Sequence, residues 1–245
     1  TLTGGAAATT SPSTGVVFDG VDDYATLVRP SSVVISGPIS VEVVVKWTSF
    51  KSNSMVFDCG DGVSGQGGSI RIGNTFAQGK VVWQIMTHID HNALGTKQVV
   101  ADVALVENQW YHIVGTVAGT SGSATMILYI DGVAVKTTSD AYEPTAPAAS
   151  YTQRPNCYIG KPTSTQSSYF HGEVASLNIY SAAMSAAQVT AAYGTFNYVY
   201  TSTTACQNSG FYSPGYIDIL YPYTNGLPCC EKAKKITIDS SVTTI

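Results

Sequence analysis

Three carboxylates occur within five positions near the start of the sequence. Asp19, Asp22 and Asp23 lie in FDGVDDYATL, in a chain whose charged residues make up only 11%. Aspartates beside a glycine are typical of turns, in which their side chains accept hydrogen bonds from backbone N–H groups. Crowded carboxylates and backbone carbonyls are also what a hard cation such as Ca²⁺ requires. The segment therefore predicts either a turn or a calcium site, and Asp58 and Asp61 in DCGDG form a weaker second candidate.

A second polar group, in MTHIDHNALG, has the composition of a sugar site or a metal site. His88 and Asp90 share one face if the segment is a strand, and a loop would bring His91 beside them. The alternative is a polar loop whose side chains meet water. A glycan site also needs an aromatic platform near amides or acids. The candidates for that platform are Trp83, His88, Tyr151 and Tyr169, the last of them in the polar segment KPTSTQSSYFHG.

Sequence patterns of hydrolases and nucleotide-binding proteins are missing from the chain. Glycosidases need two carboxyl groups on either side of one glycosidic bond. Glu42 lies in the predicted strand SVEVVVKW, which carries no second acid. Neither a G-x-S-x-G motif nor a phosphate-binding P-loop occurs. We therefore expect a protein that is not an enzyme.

Composition and charge exclude two kinds of partner. The net charge is −4, and the basic residues cluster only at Lys232, Lys234 and Lys235, so nucleic acid is not expected. No apolar run reaches the roughly 20 residues that a membrane-spanning helix needs. The charged fraction of 11% is well below the usual value of about 25%. A surface rich in hydroxyl groups predicts an extracellular or cell-surface protein.

The cysteines predict a disulfide rather than a zinc cluster, because no C-x-x-C pair occurs. Neighbouring cysteines seldom bond each other. The simplest bond near the C-terminus therefore joins Cys206 to Cys229 or to Cys230. The odd count leaves one thiol, which is either buried and free or bonded to another chain.

Short β-prone runs follow one another from Val16 onward, with Gly, Asn, Asp and Pro between them. This pattern predicts an all-β sandwich or barrel. The clearest hairpin is YIDGVAV, in which Asp131 and Gly132 suit the two positive φ angles of a type I′ turn. In the strand NQWYHIVGTVAG we assign Trp110 to the core rather than to a ligand platform.

One helix is predicted over residues 185–193. Ser185 and Gln188 have the spacing of a capping box, and Gly194 is a natural end. We expect this helix to pack on the edge of the sandwich through its alanine-rich face.

Five segments occur in one order, namely FDGVDDYATL, ISVEVVVKW, NQWYHIVGTVAG, LYIDGVAV and YIGKPTSTQSSYFHGEVASLNIYSAAMSAAQV. This succession resembles the laminin-G-like, concanavalin A-like domains of the pentraxin-related branch. The resemblance implies a jelly-roll sandwich of two antiparallel sheets and extracellular binding of glycans or other proteins, often with calcium. The family tends to carry an acid in the strand before the helix. Here that strand reads Val174, Ala175 and Ser176, which removes one carboxylate from a calcium site.

The resemblance divides the chain into three parts. We predict an N-terminal extended arm over residues 1–14, a laminin-G-like sandwich over 15–194 and a cystine-stapled C-terminal extension over 195–245. The extension is too rich in tyrosine for a free tail.

The end of the extension bears on function. In KKITIDSSVTTI, the side chains of Ile236, Ile238 and Val242 share one face of an extended strand. That strand either joins the chain's own sheet or adds to a neighbouring copy, as in donor-strand complementation. Head-to-tail addition does not close and builds a filament. Our first hypothesis is therefore a non-catalytic structural subunit that forms a homopolymeric fibre or surface layer. The alternative is a lectin-like module that binds glycans, with or without calcium.

Overall fold

The described part of the chain folds as a sandwich of two β-sheets with one helix packed on the outside of one sheet. The computed structural model describes residues 1–8, 15–27, 36–60, 68–75, 78–90, 93–119, 122–142, 156–164 and 167–201. For residues 87–90, 93–95 and 197–201 the description covers the backbone alone. Within these ranges the elements in chain order are β1 (Leu2–Thr3), β2 (Ala7–Ala8), β3 (Val16–Asp19), β4 (Tyr24–Thr26), β5 (Ile39–Ser49), β6 (Ser54–Gly60), β7 (Ser69–Thr75), β8 (Lys80–Asp90), β9 (Ala93–Val100), β10 (Trp110–Ala118), β11 (Ala124–Ile130), β12 (Val133–Ala141), β13 (Asn156–Ile159), β14 (Ser168–Tyr169), β15 (His171–Tyr180) and α1 (Ala186–Thr201).

The first sheet has the strand order β1-β4-β13-β6-β7-β8-β9, and β14 pairs in parallel with β6. The second sheet has the order β12-β11-β10-β5-β15-β3-β2. All pairings other than that of β14 are antiparallel among the described strands. The all-β jelly-roll sandwich expected from the sequence is confirmed. The N-terminal residues 1–8 give one short strand to each sheet, because β1 pairs with β4 and β2 with β3.

The core lies between the sheets and follows the alternation of side chains along each strand. In β10, Tyr111, Ile113 and Val117 point into it. Trp83 is completely buried there, and its indole N–H donates to the backbone carbonyl of Thr116 at 3.1 Å. Trp83 therefore cannot be a sugar platform, and that expectation was wrong. A Cβ atom on Gly115 would overlap the Trp83 ring, so the glycine is needed where it stands.

Trp110 points away from this core, which corrects its assignment. It is only partly buried and packs on the outer face of the second sheet, against a small cluster that includes Val44, Ala175 and Phe196. The assignment to the core failed because both faces of β10 are covered, one by the first sheet and the other by α1. Alternation alone does not tell which face is the interior.

The helix begins as predicted but ends later. The backbone N–H of Ser185 donates to Gln188 Oε1 at 2.8 Å, and the N–H of Gln188 donates to Ser185 Oγ at 3.3 Å, which completes the capping box. Gly194 does not end the helix, which continues to Thr201.

Tertiary packing carries the helix past Gly194. The packed face contains Val189, Tyr193 and Phe196, and not the alanines. Val189 is fully buried beside Val114 and Tyr129 on the outer face of the second sheet. The helix therefore lies on the sheet face, and burial of Phe196 outweighs the weak helix propensity of glycine.

Two features of local structure are the hairpin turn after β11 and the disulfide bond. Asp131 and Gly132 have φ angles of 50° and 79°, which confirms the two positive values of the predicted hairpin turn. A disulfide joins Cys59 in β6 to Cys157 in β13, across 98 residues of sequence, and the sequence did not predict it. The predicted bond of Cys206 to Cys229 or Cys230 lies outside the described residues.

The predicted assembly strand with Ile236, Ile238 and Val242 also lies outside the described residues, as do Asp61, His91 and Tyr151. Among the described helical residues, no segment has the length and apolar character to cross a membrane.

Candidate functional site

Three tyrosines form a cluster on the outer face of the first sheet. Tyr24 in β4 and Tyr158 in β13 point away from the core, because Ala25, Cys157 and Ile159 beside them point into it. The rings of Tyr24 and Tyr158 meet edge to face with centroids 5.6 Å apart. Tyr169 in β14 tilts against Tyr24 at 6.5 Å. We call Tyr24, Tyr158 and Tyr169 the tyrosine cluster; each is only partly buried.

Lys161 places a positive charge on two of these rings. Its Nζ lies 4.3 Å from the ring centroid of Tyr24 and 4.8 Å from that of Tyr158. Both distances are within the range of cation–π attraction. The ammonium group therefore holds the two rings in a fixed arrangement, and Tyr169 is the ring of the cluster for which no such contact is found in the described residues.

Asp58 anchors the segment that carries Lys161. Its buried carboxylate accepts hydrogen bonds from the Ser69 hydroxyl at 2.5 Å and from the backbone N–H and hydroxyl of Thr163 at 3.0 and 3.1 Å. Arg71 lies 3.8 Å from it. These partners engage both oxygens of the carboxylate, so Asp58 serves as a structural anchor. Its contacts do not support the prediction that it is a metal ligand.

The three aspartates of the first loop lie next to the tyrosine cluster. Their ligand atoms lie within 4.8 Å of one another. Asp19 Oδ1 accepts the backbone N–H of Val21 at 2.7 Å and that of Asp22 at 3.4 Å. The Val21 hydrogen bond is the main cause that holds the pKa of Asp19 below its usual value. The geometry is that of the predicted turn, in which the aspartate side chain accepts hydrogen bonds from backbone N–H groups.

Asp23 ties the N-terminal strands to this turn. It is 3% exposed, and its Oδ2 accepts the backbone N–H of Asp19 at 2.8 Å. Its Oδ1 accepts the backbone N–H of Gly5. A buried carboxylate with both oxygens engaged in this way is a structural element of the loop.

Calcium fits this loop only in part. The spacing of the carboxylates suits a cation, but calcium takes about six to eight oxygen ligands. Among the described residues, the hydrogen bonds leave unengaged only Asp19 Oδ2 and the carboxylate of Asp22. Lys51 already brings a cation to the turn, since its Nζ donates to the carbonyl of Gly20 at 2.7 Å. The contacts of this loop therefore fit a turn better than a calcium site.

Tyr169 links the two candidate sites that the sequence proposed separately. Burial raises the pKa of its hydroxyl, and the nearby Tyr24, Asp22 and Tyr158 raise it further. Tyr169, proposed for a glycan, and Asp22, proposed for a metal, are therefore electrostatic neighbours. At neutral pH the Tyr169 hydroxyl is a hydrogen-bond donor beside a carboxylate.

The other proposed glycan residues are not near the tyrosine cluster. His88 and Asp90 lie on β8, where their backbones pair with Leu94 and Ala93. Two strand spacings separate β8 from β6, on whose other side β13 lies. Strand spacing alone puts β8 about 14 Å from β13. The structure therefore does not join His88 and Asp90 to Tyr169.

The structure contains a polar group that the sequence did not indicate. Glu42 Oε1 lies 2.7 Å from His112 Nε2, and Glu42 Oε2 accepts from Asn178 at 3.0 Å and from the Tyr180 hydroxyl at 2.5 Å. His112 is 1% exposed and stacks on Phe196 of α1, with ring centroids 5.8 Å apart. Burial raises the pKa of Glu42, but these hydrogen bonds outweigh it and leave the pKa below its usual value.

Comparison with known proteins places the chain in a family. The laminin G family model, described as the concanavalin A-like lectin/glucanases superfamily, matches residues 19–190. The chain therefore belongs to this superfamily, and the resemblance noted in the sequence is confirmed. The comparison with curated proteins gave no significant match.

Solved structures with the same fold include two bacterial domains. Domain 4 of AbnA, an extracellular arabinanase from Geobacillus stearothermophilus solved with arabinotriose, has a TM-score of 0.58 at 17% identity, over 77% of this chain and 81% of that one. The CBM40 of a Ruminococcus gnavus sialidase, solved with α2,3-sialyllactose, has a TM-score of 0.54 at 14% identity, over 74% of this chain and 96% of that one. At sequence identities this low, the structural similarity is evidence of a shared fold alone.

Proposed function

We propose that this chain is a non-catalytic, extracellular glycan-binding module and that it binds sugar at the tyrosine cluster. The observation that carries the proposal is the grouping of Tyr24, Tyr158 and Tyr169 on one sheet face, with Lys161 and Asp22 beside them. Aromatic faces with a few fixed polar groups are the usual composition of small-molecule sites. Tyr169 is the ring that we expect to stack on a sugar, since Lys161 lies over the other two.

The charges favour a neutral sugar. Lys161 donates hydrogen bonds and carries a positive charge, whereas Asp22 accepts hydrogen bonds and carries a negative one. Asn156, on the same outer face of β13, adds an amide, whose Oδ1 accepts the Tyr158 hydroxyl at 3.2 Å. Opposite charges beside the tyrosine cluster suit hydroxyl groups, which both donate and accept, better than a carboxylated sugar.

We propose the absence of catalysis from the burial and the hydrogen bonds of the carboxylate side chains. Glycosidases need one carboxyl group that protonates and one that attacks or activates water. Near the tyrosine cluster, Asp23 and Asp58 are buried and engaged in hydrogen bonds. Glu42 is engaged beneath α1, on the other sheet. Asp22 has Asp19 as a neighbouring carboxylate, but the two lie on the same turn, where Asp19 accepts backbone N–H groups, and do not face each other across a cleft.

Extracellular location and glycan binding are supported by further observations. The disulfide between Cys59 and Cys157 is typical of oxidising compartments. The two bacterial domains of the same fold were solved with oligosaccharides bound. We propose binding without calcium, because backbone N–H groups already engage both carboxylate oxygens of Asp23 and one of Asp19. These observations favour the glycan-binding alternative, and fibre assembly stays a prediction.

A glycan array tests the proposal. The full chain, produced with its disulfide, is applied to immobilised neutral and acidic oligosaccharides with calcium and again with a chelator. We expect signals on a restricted set of neutral glycans that the chelator leaves unchanged. An array without specific signals would overturn glycan binding, and signals lost with the chelator would overturn the calcium-independent version.

A further inference from the structure

A cavity of about 530 Å³ lies between α1 and the loop that leads into β10. It is built on the second sheet, whereas the tyrosine cluster lies on the first. Its volume is within the range of about 300–1,000 Å³ that is usual for small-ligand sites. Its walls contain three aromatic side chains, Trp110, Tyr193 and Phe196, and two acids, Glu107 and Asp131. Among the lining residues there is no lysine or arginine.

The aromatic wall is preformed. The rings of Tyr193 and Phe196, three residues apart on one side of α1, have centroids 5.8 Å apart. Trp110 packs against the cluster that contains Phe196. Trp110 already attracts one cation, since Lys46 Nζ lies 5.2 Å from its ring centroid while paired with Glu173 at 2.5 Å. Aromatic faces arranged in this way favour a positively charged ligand.

The acidic wall carries charge that is not neutralised. Asp131 is held by the hairpin turn, and its Oδ1 accepts the backbone N–H of His112 at 2.9 Å. Glu107 Oε1 accepts the backbone N–H of Phe50 at 3.1 Å. Within the described residues, neither carboxylate forms an ion pair. Burial raises the pKa of Asp131, although the backbone hydrogen bond from His112 and the charge of His112 act in the opposite direction.

We propose that this cavity binds an organic ammonium group, with its methylene or methyl groups on Trp110, Tyr193 and Phe196 and its charge facing Asp131. A hard metal ion prefers several oxygen ligands to aromatic faces, and a neutral apolar molecule would leave Asp131 desolvated and unpaired. The aromatic rings and the carboxylate together favour a cation with an apolar surface. The site is independent of glycan binding, so either proposal stands if the other fails.

The test is a titration of the full chain with tetramethylammonium chloride, followed by NMR of the indole N–H signals. The chain has 3 tryptophans. Trp47 and Trp83 are fully buried, and their N–H groups donate to Asn74 Oδ1 and to the Thr116 carbonyl. We expect the Trp110 signal to shift with saturation while those two internal references stay in place. Sodium chloride at equal concentration and tert-butanol, a neutral molecule of similar size, are the ligand controls.

Asp131→Asn is the decisive variant. Asparagine keeps the oxygen that accepts the His112 N–H and tolerates the positive φ, so the turn should persist. We expect affinity for tetramethylammonium to fall about tenfold, because the coulombic attraction between its charge and the Asp131 carboxylate is lost. Asp102→Asn is the matched control, since Asp102 is exposed, pairs with Lys136 at 2.8 Å and does not line the cavity. Tyr193→Leu is a second variant, which removes an aromatic face, keeps the charge and leaves the Trp110 signal in place to report a weaker affinity.

Each outcome is informative. Equal shifts with tert-butanol, or full affinity in Asp131→Asn, would overturn an ammonium site and leave an apolar cavity. No Trp110 shift beyond the sodium chloride control would overturn binding altogether. If binding is found, Nα-acetyl-trimethyllysine amide, compared with the norleucine amide, separates two sources of the ligand. Binding of both ammonium probes supports a site that accepts a protein-borne lysine side chain, and binding of tetramethylammonium alone supports one for free amines.

Discussion

Lys161 lies 4.3 Å from the ring centroid of Tyr24, and it reaches that position because Asp58 anchors the segment that carries it. Asp58 stands opposite Tyr158 in the pairing of β6 with β13. The buried carboxylate of Asp58 thus sets the arrangement of the aromatic groups on the surface above it. The proposed glycan site is therefore organised by a residue that never touches the ligand.

The first prediction follows from this anchor. Replacing Asp58 with alanine removes the acceptor for Ser69 and Thr163 and leaves Arg71 without its carboxylate. We expect the free energy of unfolding to fall by about 3–5 kcal/mol, as for a broken buried ion pair. Urea unfolding measures it, with Asp102→Ala as the exposed control, expected to change stability by less than about 1 kcal/mol. Equal effects of the two variants would contradict the anchoring role.

The second prediction concerns the buried pair of Glu42 and His112. The folded-state pKa of Glu42 is below its ordinary value of 4.5, so its contribution to stability is complete above that pH and is lost as the pH falls through the folded-state pKa. We expect the wild-type chain to lose more stability on acidification than Glu42→Gln does. Urea unfolding over a pH series provides the comparison. Parallel curves for the two proteins would rule out this assignment.

The third prediction separates a turn from a metal site. Asp23→Ala removes the acceptor for the backbone N–H groups of Gly5 and Asp19, and we expect a loss of about 1.5–3 kcal/mol for each hydrogen bond to the charged group. Asp22→Asn, at the exposed position, should change stability by less than about 0.5 kcal/mol. The melting temperature should be the same with calcium and with a chelator. A calcium-induced rise that Asp22→Asn abolishes would instead establish a metal site.

The fourth prediction concerns the disulfides. Replacing Cys59 and Cys157 together with alanine should cost about 2–5 kcal/mol, because the bond restricts a long loop of the unfolded chain. Mass spectrometry of unreduced peptides should recover the Cys59–Cys157 pair. The same map tests the predicted bond of Cys206 to Cys229 or Cys230. Free thiols at Cys59 and Cys157 in protein produced under oxidising conditions would contradict the structure.

The features that the sequence predicted well are local. The capping box depends only on Ser185 and on Gln188, three residues later. The hairpin turn depends only on the φ angles that Asp131 and Gly132 can adopt. Their physical causes lie within one turn of chain, so the sequence shows them directly. Five segments in one order were also enough to indicate the fold.

The features that the sequence missed depend on pairing. Cys59 and Cys157 are adjacent only because β6 and β13 are neighbours in the first sheet. The tyrosine cluster likewise forms only once β4, β13 and β14 are assembled, and of its members only Tyr169 was a candidate. The wrong assignment of Trp110 to the core has the same origin, since alternation along a strand gives two faces and only the packed sandwich decides which of them is the interior.

The measurement that tests the central claim most directly is calorimetric titration of the full chain with the best glycan from the array. It compares the wild type with Tyr169→Leu and with Tyr142→Leu, a matched change at a partly buried tyrosine outside the tyrosine cluster. We predict that Tyr169→Leu weakens binding by at least about tenfold, as for loss of an aromatic anchor, while Tyr142→Leu binds as the wild type does. Equal affinity in all three proteins would contradict a glycan site at the tyrosine cluster.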